Sequence, residues 1–237
     1  MKPNLAHRTL VWDLPVRVFH WTLVLSFIGA YLTGESERWR DVHVLLGYTA
    51  GALVVFRVIW GLVGTRYARF AGFLYRPTEV VAYVRSLLAR RPQHFVGHNP
   101  AGAIAIFALL ALLFATVLSG WAVFVEIGPH WLEGVHEVVS NVALTLVGVH
   151  VAGVILSSWL HRENLVGAMI TGYKVADAPP ASGRQLTVAV LLLAVVAGLW
   201  IGYIPAPGLQ ARTGLGLPTA ISAQTHRARE HEHSRRH

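Results

Sequence analysis

Long apolar stretches separated by short polar segments make up most of the chain from Val16 onward. A helix needs about 20 apolar residues to cross the hydrocarbon core of a membrane, and five stretches come close to that length. They are Val16–Thr33, Val42–Val63, Ala101–Val125, Val135–Leu160 and Leu186–Ile204. Lipid offers backbone amides no partner, and the alternation typical of a β-barrel is absent, so each stretch is predicted to be helical. The pattern predicts an all-α integral membrane protein with a four-helix bundle and a fifth transmembrane helix.

Basic residues between the apolar stretches indicate how the chain crosses the membrane. The loop of residues 64–100 carries six arginines against one acid, Glu79, whereas residues 126–133 contain no lysine or arginine. By the positive-inside rule, this loop and the N-terminus are expected in the cytoplasm. Within the loop, Glu79–Ala89 has the pattern of an amphipathic helix that lies on the membrane surface. A fifth crossing would place the arginine-rich C-terminus outside, against that rule, so the side of the tail stays open.

The composition limits the class of protein and the cofactors that the chain can bind. Of 237 residues, 54% are hydrophobic and 14% charged, with a formal net charge of +8. Such a charge would suggest nucleic-acid binding in a soluble protein, but here the positive residues border apolar stretches, so membrane topology explains them better. No cysteine is present, which excludes thiolate-held iron–sulfur clusters, disulfides and covalent attachment of haem. Any haem must therefore be b-type, held without a covalent bond.

Four histidines lie within the apolar stretches, where ionisable side chains are costly and usually functional. His136 and His150 are fourteen residues apart in the fourth stretch, which is about 21 Å along a helix and within about 40° of the same face. His43 opens the second stretch near the outer surface, and His20 lies fourteen residues before Gly34, the outer end of the first. The depths therefore pair His43 with His136, and His20 with His150.

Two imidazole pairs at two depths predict two haems, with these four histidines as axial ligands of the iron. An iron with two axial imidazoles has no open coordination position, so such sites transfer electrons rather than bind substrate. Arg57 and Arg17 are candidates to pair with the propionates of the inner haem. The alternatives are that the histidines only hydrogen-bond to neighbouring helices, and that Arg57 extends to the membrane surface. His161 is a rival partner for His20, but the matching depths favour His150.

Several motifs surround these residues. They are DLPVRVFHW around His20, DVHVLLGY around His43, RVIWGLVGTRYARF, GHNP, and the H-x13-H spacing of His136 and His150. Together they resemble the b-type cytochrome subunits of membrane-bound nickel–iron hydrogenases, and the wider bacterial cytochrome b561-like group, over residues Val11–Lys174. The resemblance implies a four-helix core in the bacterial inner membrane that holds two b haems through His20, His43, His136 and His150.

The resemblance also implies a function. Family members exchange electrons between a partner redox protein and the quinone pool, so we expect an electron-transfer subunit rather than a complete enzyme. The partner could be a hydrogenase, another dehydrogenase or reductase, or a cytochrome c. The alternative is a stand-alone membrane oxidoreductase that reacts directly with a small redox substrate at the outer face. A metal transporter is disfavoured, because the stretches offer almost no acidic and no sulfur ligands.

Three regions follow from these patterns. Residues 1–175 are predicted to form the di-haem transmembrane domain, and residues 176–204 a linker with the fifth transmembrane helix. Residues 205–237 form a polar tail that ends in THRAREHEHSRRH. This tail is too polar to bury a core, so we predict that it is disordered.

Overall fold

A computed structural model describes residues 8–206 apart from residues 90, 92, 182 and 184. The described part is mainly helical, and its only strands are two short ones. The helices are α1 Leu14–Thr33, α2 Arg40–Val63, α3 Pro77–Leu88, α4 Pro100–Phe124, α5 Trp131–His161, α6 Leu165–Thr171 and α7 Leu186–Trp200, and the strands are β1 Arg8–Leu10 and β2 Tyr173–Val175. The predicted all-α membrane bundle is confirmed. The disorder predicted for the tail concerns residues that lie almost wholly outside the described part.

Four helical segments in the described part are long and apolar enough to cross a membrane: Leu14–Thr33, Glu37–Val63, Pro100–Phe124 and Trp131–His161. They match the first four predicted crossings, apart from Val125, which lies one residue beyond the third segment. The fifth predicted segment is also helical, but α7 has 15 residues, about 22 Å of helix, which is less than the roughly 30 Å of a hydrocarbon core. Its crossing stays a prediction.

Polar capping side chains and prolines define the N-termini of the long helices α1 and α4. The Asp13 side chain accepts a hydrogen bond from the Val16 amide, with Pro15 in the first turn of α1. The Asn99 side chain caps α4 in the same way, ahead of Pro100. Such caps satisfy amides that have no partner in the first turn. We call this end of the bundle, where α1 and α4 begin, the inner end, and the opposite end the outer end.

The bundle is tightly packed on one side and open on the other. Helix α1 packs against α2, α2 against α4, and α4 against α5, while α7 covers α1 and α2. Helix α5 makes extensive backbone contact only with α4 and α6 in the described part, and Ala143 is its only buried residue. A seam therefore runs between α5 on one side and α1 and α2 on the other, bridged by side chains such as Tyr31 and Asn141, whose polar atoms are 3.1 Å apart.

The inner end is closed by a small polar hub and a two-stranded ribbon. Strand β1 pairs antiparallel with β2, so the start of the chain is tied to the segment after α6. Asp13 is 1% exposed, and its carboxylate accepts hydrogen bonds from Trp60 Nε1 at 3.0 Å and Thr65 Oγ1 at 2.6 Å. The amphipathic helix predicted at Glu79–Ala89 is present as α3, which begins at Pro77 because Glu79 accepts a hydrogen bond from the Arg76 amide.

Candidate functional site

Two imidazoles meet across the seam at the outer end. His43 lies in the first turn of α2 and His136 in the second turn of α5, and their ring centres are 6.2 Å apart with perpendicular ring planes. A metal bound between two imidazole nitrogens at about 2 Å from each separates the ring centres by about 6 Å. The spacing of this pair therefore fits an iron held between two axial ligands.

Both rings are held by hydrogen bonds at Nδ1. His43 Nδ1 lies 2.8 Å from the Ala30 carbonyl oxygen, and His136 Nδ1 lies 3.0 Å from the Thr116 carbonyl oxygen. Because a carbonyl oxygen only accepts, each Nδ1 carries the proton and each Nε2 presents a lone pair. No hydrogen bond occupies either Nε2 within the described residues. This arrangement, in which one ring nitrogen is anchored and the other is free, is the one that metal-binding histidines adopt.

Helix α4 makes room for the His136 ring. A Cβ atom added to Gly120 would lie 2.7 Å from Cε1 of His136, closer than a non-bonded carbon approaches another. The Ser119 hydroxyl, one residue earlier, lies 3.2 Å from His136 Nδ1 and also donates to the Thr116 carbonyl at 3.1 Å. Neither Ser119 nor Gly120 was singled out from sequence, because their relation to His136 depends on how α4 and α5 pack.

The second predicted pair lies nearer the inner end. His20 of α1 and His150 of α5 face the same part of the seam and lie within electrostatic range of each other. His20 Nδ1 is buried without a hydrogen-bond partner in the described part of the chain, and its ring meets the Trp21 ring edge to face, with centres 5.1 Å apart. No hydrogen bond to His150 is found among the described residues either. A polar ring that is buried without a partner is costly, so this site fits an added ligand.

The two predicted arginines occupy different environments. Arg57 is 3% exposed, stacks over the Phe70 ring at 4.7 Å, and has an Nη1 atom without a partner in the described structure. Its guanidinium is therefore buried rather than extended to the surface, and it fits an anionic group such as a propionate. Arg17 instead donates from Nη1 to the Thr171 carbonyl at the end of α6, although its Nε atom is buried without a partner in the described residues.

A further buried histidine is His98 of the GHNP motif, for which the sequence alone predicted no role. Its ring lies between Trp12 and Phe73, with ring centres 4.6 Å and 4.3 Å away. Burial and the positive charges of Arg57 and Lys174 lower the pKa of His98 to about 3, so the ring is neutral. Its Nδ1 atom has no partner among the described residues. The GHNP motif drew attention to this position, but the burial of His98 depends on packing that the sequence does not show.

His98 lines a pocket at the inner end. The pocket is bordered mainly by aromatic and small residues together with one arginine: Arg66, Tyr67, Gly72, Phe73, Tyr75, Phe95, Val96, Gly97 and His98. His161, the rival partner for His20, is engaged elsewhere. Its Nδ1 lies 2.9 Å from the Ser157 carbonyl oxygen and its Nε2 lies 3.2 Å from that of Gln93, so neither of its nitrogens is free.

Helix bundles build cofactor sites from side chains on facing helices, and imidazoles opposed across the seam of a membrane bundle have the ligand chemistry of a membrane cytochrome. The chain belongs to the prokaryotic cytochrome b561 family, whose model matches residues 11–172. It is accordingly a multi-pass membrane protein of the b-type cytochromes, which bind haem b and take part in electron transport.

Curated relatives carry one common description. The chain is similar to a probable Ni/Fe-hydrogenase B-type cytochrome subunit of Rhizobium leguminosarum bv. viciae, with 26% identity over 212 residues that cover 70% of this chain and 88% of the relative. It is also similar to a probable Ni/Fe-hydrogenase 1 B-type cytochrome subunit of Escherichia coli (strain K12), with 29% identity over 143 residues, 49% of this chain and 60% of the relative. No solved structure matches significantly.

Proposed function

We propose that the chain is a di-haem cytochrome of the bacterial inner membrane that carries electrons between a redox partner at the outer end and quinone at the inner end. The observation that carries this proposal is the His43–His136 pair, whose rings lie 6.2 Å apart. Both rings are anchored through Nδ1, which leaves Nε2 of each for iron. A bis-imidazole site suits reversible one-electron transfer, which is the chemistry that haem supplies when it is bound.

The four histidines divide into two sites in this proposal. His43 and His136 hold the outer haem, and His20 and His150 hold the inner one. Helix α5 contributes one ligand to each site, so a single element sets the distance between them. Arg57 pairs with a propionate of the inner haem, which its unpartnered Nη1 supports. Arg17 contributes to that site through its Nε atom, which has no partner among the described residues, while its Nη1 bonds to the end of α6.

The low burial of α5 supports the binding of two haems in the seam between α5 on one side and α1 and α2 on the other. Helix α5 has 31 residues, of which only Ala143 is buried. A helix with so few buried side chains gains little from packing, because most of the stability of a helix comes from the face it buries. A porphyrin on each histidine of α5 would supply the missing apolar contacts.

Quinone exchange at the inner end is supported by the pocket that His98 lines. Its aromatic walls suit a flat ring, and the unpartnered Nδ1 of His98 suits a hydrogen bond to a quinone oxygen. Arg17 and Arg57, which each have an unpartnered nitrogen in the described part of the chain, remain candidates for further contacts, whereas both nitrogens of His161 are engaged. The neutral state of His98 favours this use, since burying a charged ring beside an apolar ligand would be costly.

A hydrogenase is the partner that the names of the relatives favour, since these proteins are described as Ni/Fe-hydrogenase cytochrome subunits. The outer end suits such a partner because the His43–His136 pair lies close to it. Another dehydrogenase or reductase, or a cytochrome c, would use the same position. The distribution of arginines along the sequence supports a cytoplasmic N-terminus.

A haem count tests the two-site assignment. We expect about two b haems per chain in the purified protein, measured as the pyridine haemochrome. His43→Ala and His136→Ala should each lose one haem, and His20→Ala and His150→Ala should each lose the other. His161→Ala is the matched control and should keep both haems, since both of its ring nitrogens are bonded to carbonyls. Retention of both haems in any of the four variants, or loss of a haem in the control, would contradict the assignment.

A second experiment tests the quinone site. His98→Leu keeps the size of the side chain roughly and removes its nitrogens, so we expect a loss of quinone-linked turnover of at least tenfold with both haems retained. Reduction of artificial dyes by the partner should be unchanged. Unaltered quinone turnover in this variant would exclude His98 from the quinone site.

A further inference from the structure

The two imidazole pairs differ in what holds their rings. In the outer pair, both Nδ1 atoms face backbone carbonyl oxygens, those of Ala30 and Thr116. The Ser119 hydroxyl adds a third polar contact, 3.2 Å from His136 Nδ1. In the inner pair, neither ring has a hydrogen bond among the described residues, and His20 Nδ1 is buried without a partner there.

This difference has a chemical consequence for a bound iron. A hydrogen bond from the distal ring nitrogen to an acceptor increases the electron density on the coordinating nitrogen, and so makes the imidazole a stronger donor. A stronger donor stabilises oxidised iron, which is the more positive state, and lowers its reduction potential. Either nitrogen of His20 can bind iron with the same consequence, because neither has an acceptor among the described residues.

The charges at the two ends act in the same direction. Arg57 is buried at the inner end with an unpartnered Nη1, and a nearby cation favours the reduced, less positive iron. The outer end carries more exposed acids than exposed arginines. The acids are Glu35, Glu37, Asp41, Glu126, Glu133 and Glu137, against Arg38 and Arg40. One of each sign, Glu37 and Arg40, lines the same cavity as His43 and His136, so the acidic excess acts from around this cavity rather than within it. No ion pair among the described residues neutralises any of these six acids.

We propose that the His43–His136 site has the lower reduction potential of the two, and that Ser119 is a positioning residue that helps to keep it low. This proposal rests on the two-site function above. With this order of potentials, an electron passes favourably from the outer site to the inner one.

A redox titration of the haem absorption assigns the two potentials. We expect two one-electron transitions in the wild-type protein. His43→Ala should abolish the transition at lower potential and keep the higher one, and His20→Ala should do the reverse. If His43→Ala removes the higher transition instead, the order is overturned.

Substitutions at Ser119 test whether its hydroxyl helps to lower the reduction potential of the outer site. Ser119→Ala leaves His136 Nδ1 with one acceptor instead of two, so the lower transition should move to higher potential while the other stays in place. Ser119→Thr keeps a hydroxyl and should restore the wild-type value. Ser140→Ala is the matched control, because Ser140 bonds to the His136 backbone carbonyl rather than to the ring, and it should move neither transition.

The outcomes separate this inference from the function on which it rests. If Ser119→Ala moves the higher transition, or moves neither with two haems present, the role of Ser119 is refuted while the two-site function stands. A wild-type haem count near one would overturn the two-site function itself, and the order of potentials with it.

Discussion

Buried polar side chains at the inner end show how single residues set the conditions for the site. Asp13 joins the first turn of α1, the end of α2 and the loop that follows, through Val16, Trp60 and Thr65. It also interacts electrostatically with Arg57. Arg57 is thereby held close to the bundle interior, in a position that a membrane helix tolerates only when a counter-charge or ligand is present.

Removal of the Asp13 carboxylate should destabilise the protein without touching a haem ligand. Asp13→Ala leaves the buried donors of Trp60 and Thr65 without an acceptor and removes the cap of α1. We expect a loss of about 3 kcal/mol in unfolding free energy, measured by denaturant unfolding in detergent. Asp177→Ala, at an exposed acid, is the control and should change stability little. Equal stability of the two variants would refute the role of the hub.

At the scale of elements, the relation between α4 and α5 determines the outer site. These two helices pack along each other, and α4 supplies both the Thr116 carbonyl that anchors the His136 ring and the space over Gly120 that the ring occupies. Helix α5 in turn carries His136 and His150 on one face, because fourteen residues are close to four full turns. The outer site therefore depends on a residue without a side chain on one helix and an imidazole on the next.

A methyl group at position 120 should disturb the outer site alone. In Gly120→Ala the added Cβ would lie 2.7 Å from the His136 ring, so the ring must leave its hydrogen bonds to Thr116 and Ser119. We expect one haem per chain instead of two, with the inner haem retained, as measured by the haem count and redox titration. Gly134→Ala is the control, because its added Cβ meets no atom within 4 Å. Retention of both haems in Gly120→Ala would show that the ring can shift without losing iron.

At the scale of the whole molecule, the two ends of the bundle differ both in charge and in the site that they carry. The inner end carries the arginine-rich loop and the His98 pocket, and the outer end carries the exposed acids and the His43–His136 pair. Helix α7 packs along the bundle against α1 and α2. Its Trp200 indole donates a hydrogen bond to Thr49 Oγ1 at 3.2 Å. Because Thr49 lies in the middle of α2, α7 begins at the inner end and reaches well into the bundle.

Orientation can be measured directly because the chain has no cysteine of its own. Single cysteines in place of the exposed Glu133 and Arg85 should react with an impermeant maleimide from opposite sides, Glu133→Cys from outside and Arg85→Cys from the cytoplasm. Tyr203→Cys tests the fifth crossing and should react from outside if α7 and the residues after it span the membrane. Cytoplasmic labelling of Glu133→Cys would reverse the proposed orientation.

Much of the architecture follows from local properties of the sequence. The four long crossings were predicted from apolar length, and the pairing of His43 with His136 from helix rise, since both quantities depend only on neighbours along the chain. Helix boundaries were less accurate. Helix α5 begins at Trp131, four residues before the apolar stretch predicted from Val135, because a helix can continue beyond the apolar stretch that crosses the membrane, so His136 lies one turn further into α5 than predicted.

The sequence by itself determined that this is a helical membrane protein, that any haem is held without thiolates, and where along its helix each histidine lies. Those properties depend on composition and on the regular geometry of a helix. Only the tertiary structure decided which carbonyls anchor the outer imidazoles, that Gly120 admits the His136 ring, that Arg57 is buried while Arg17 bonds to α6, and that His98 is enclosed by aromatic rings. Each of these depends on contacts between helices or loops distant in sequence, which no local pattern encodes.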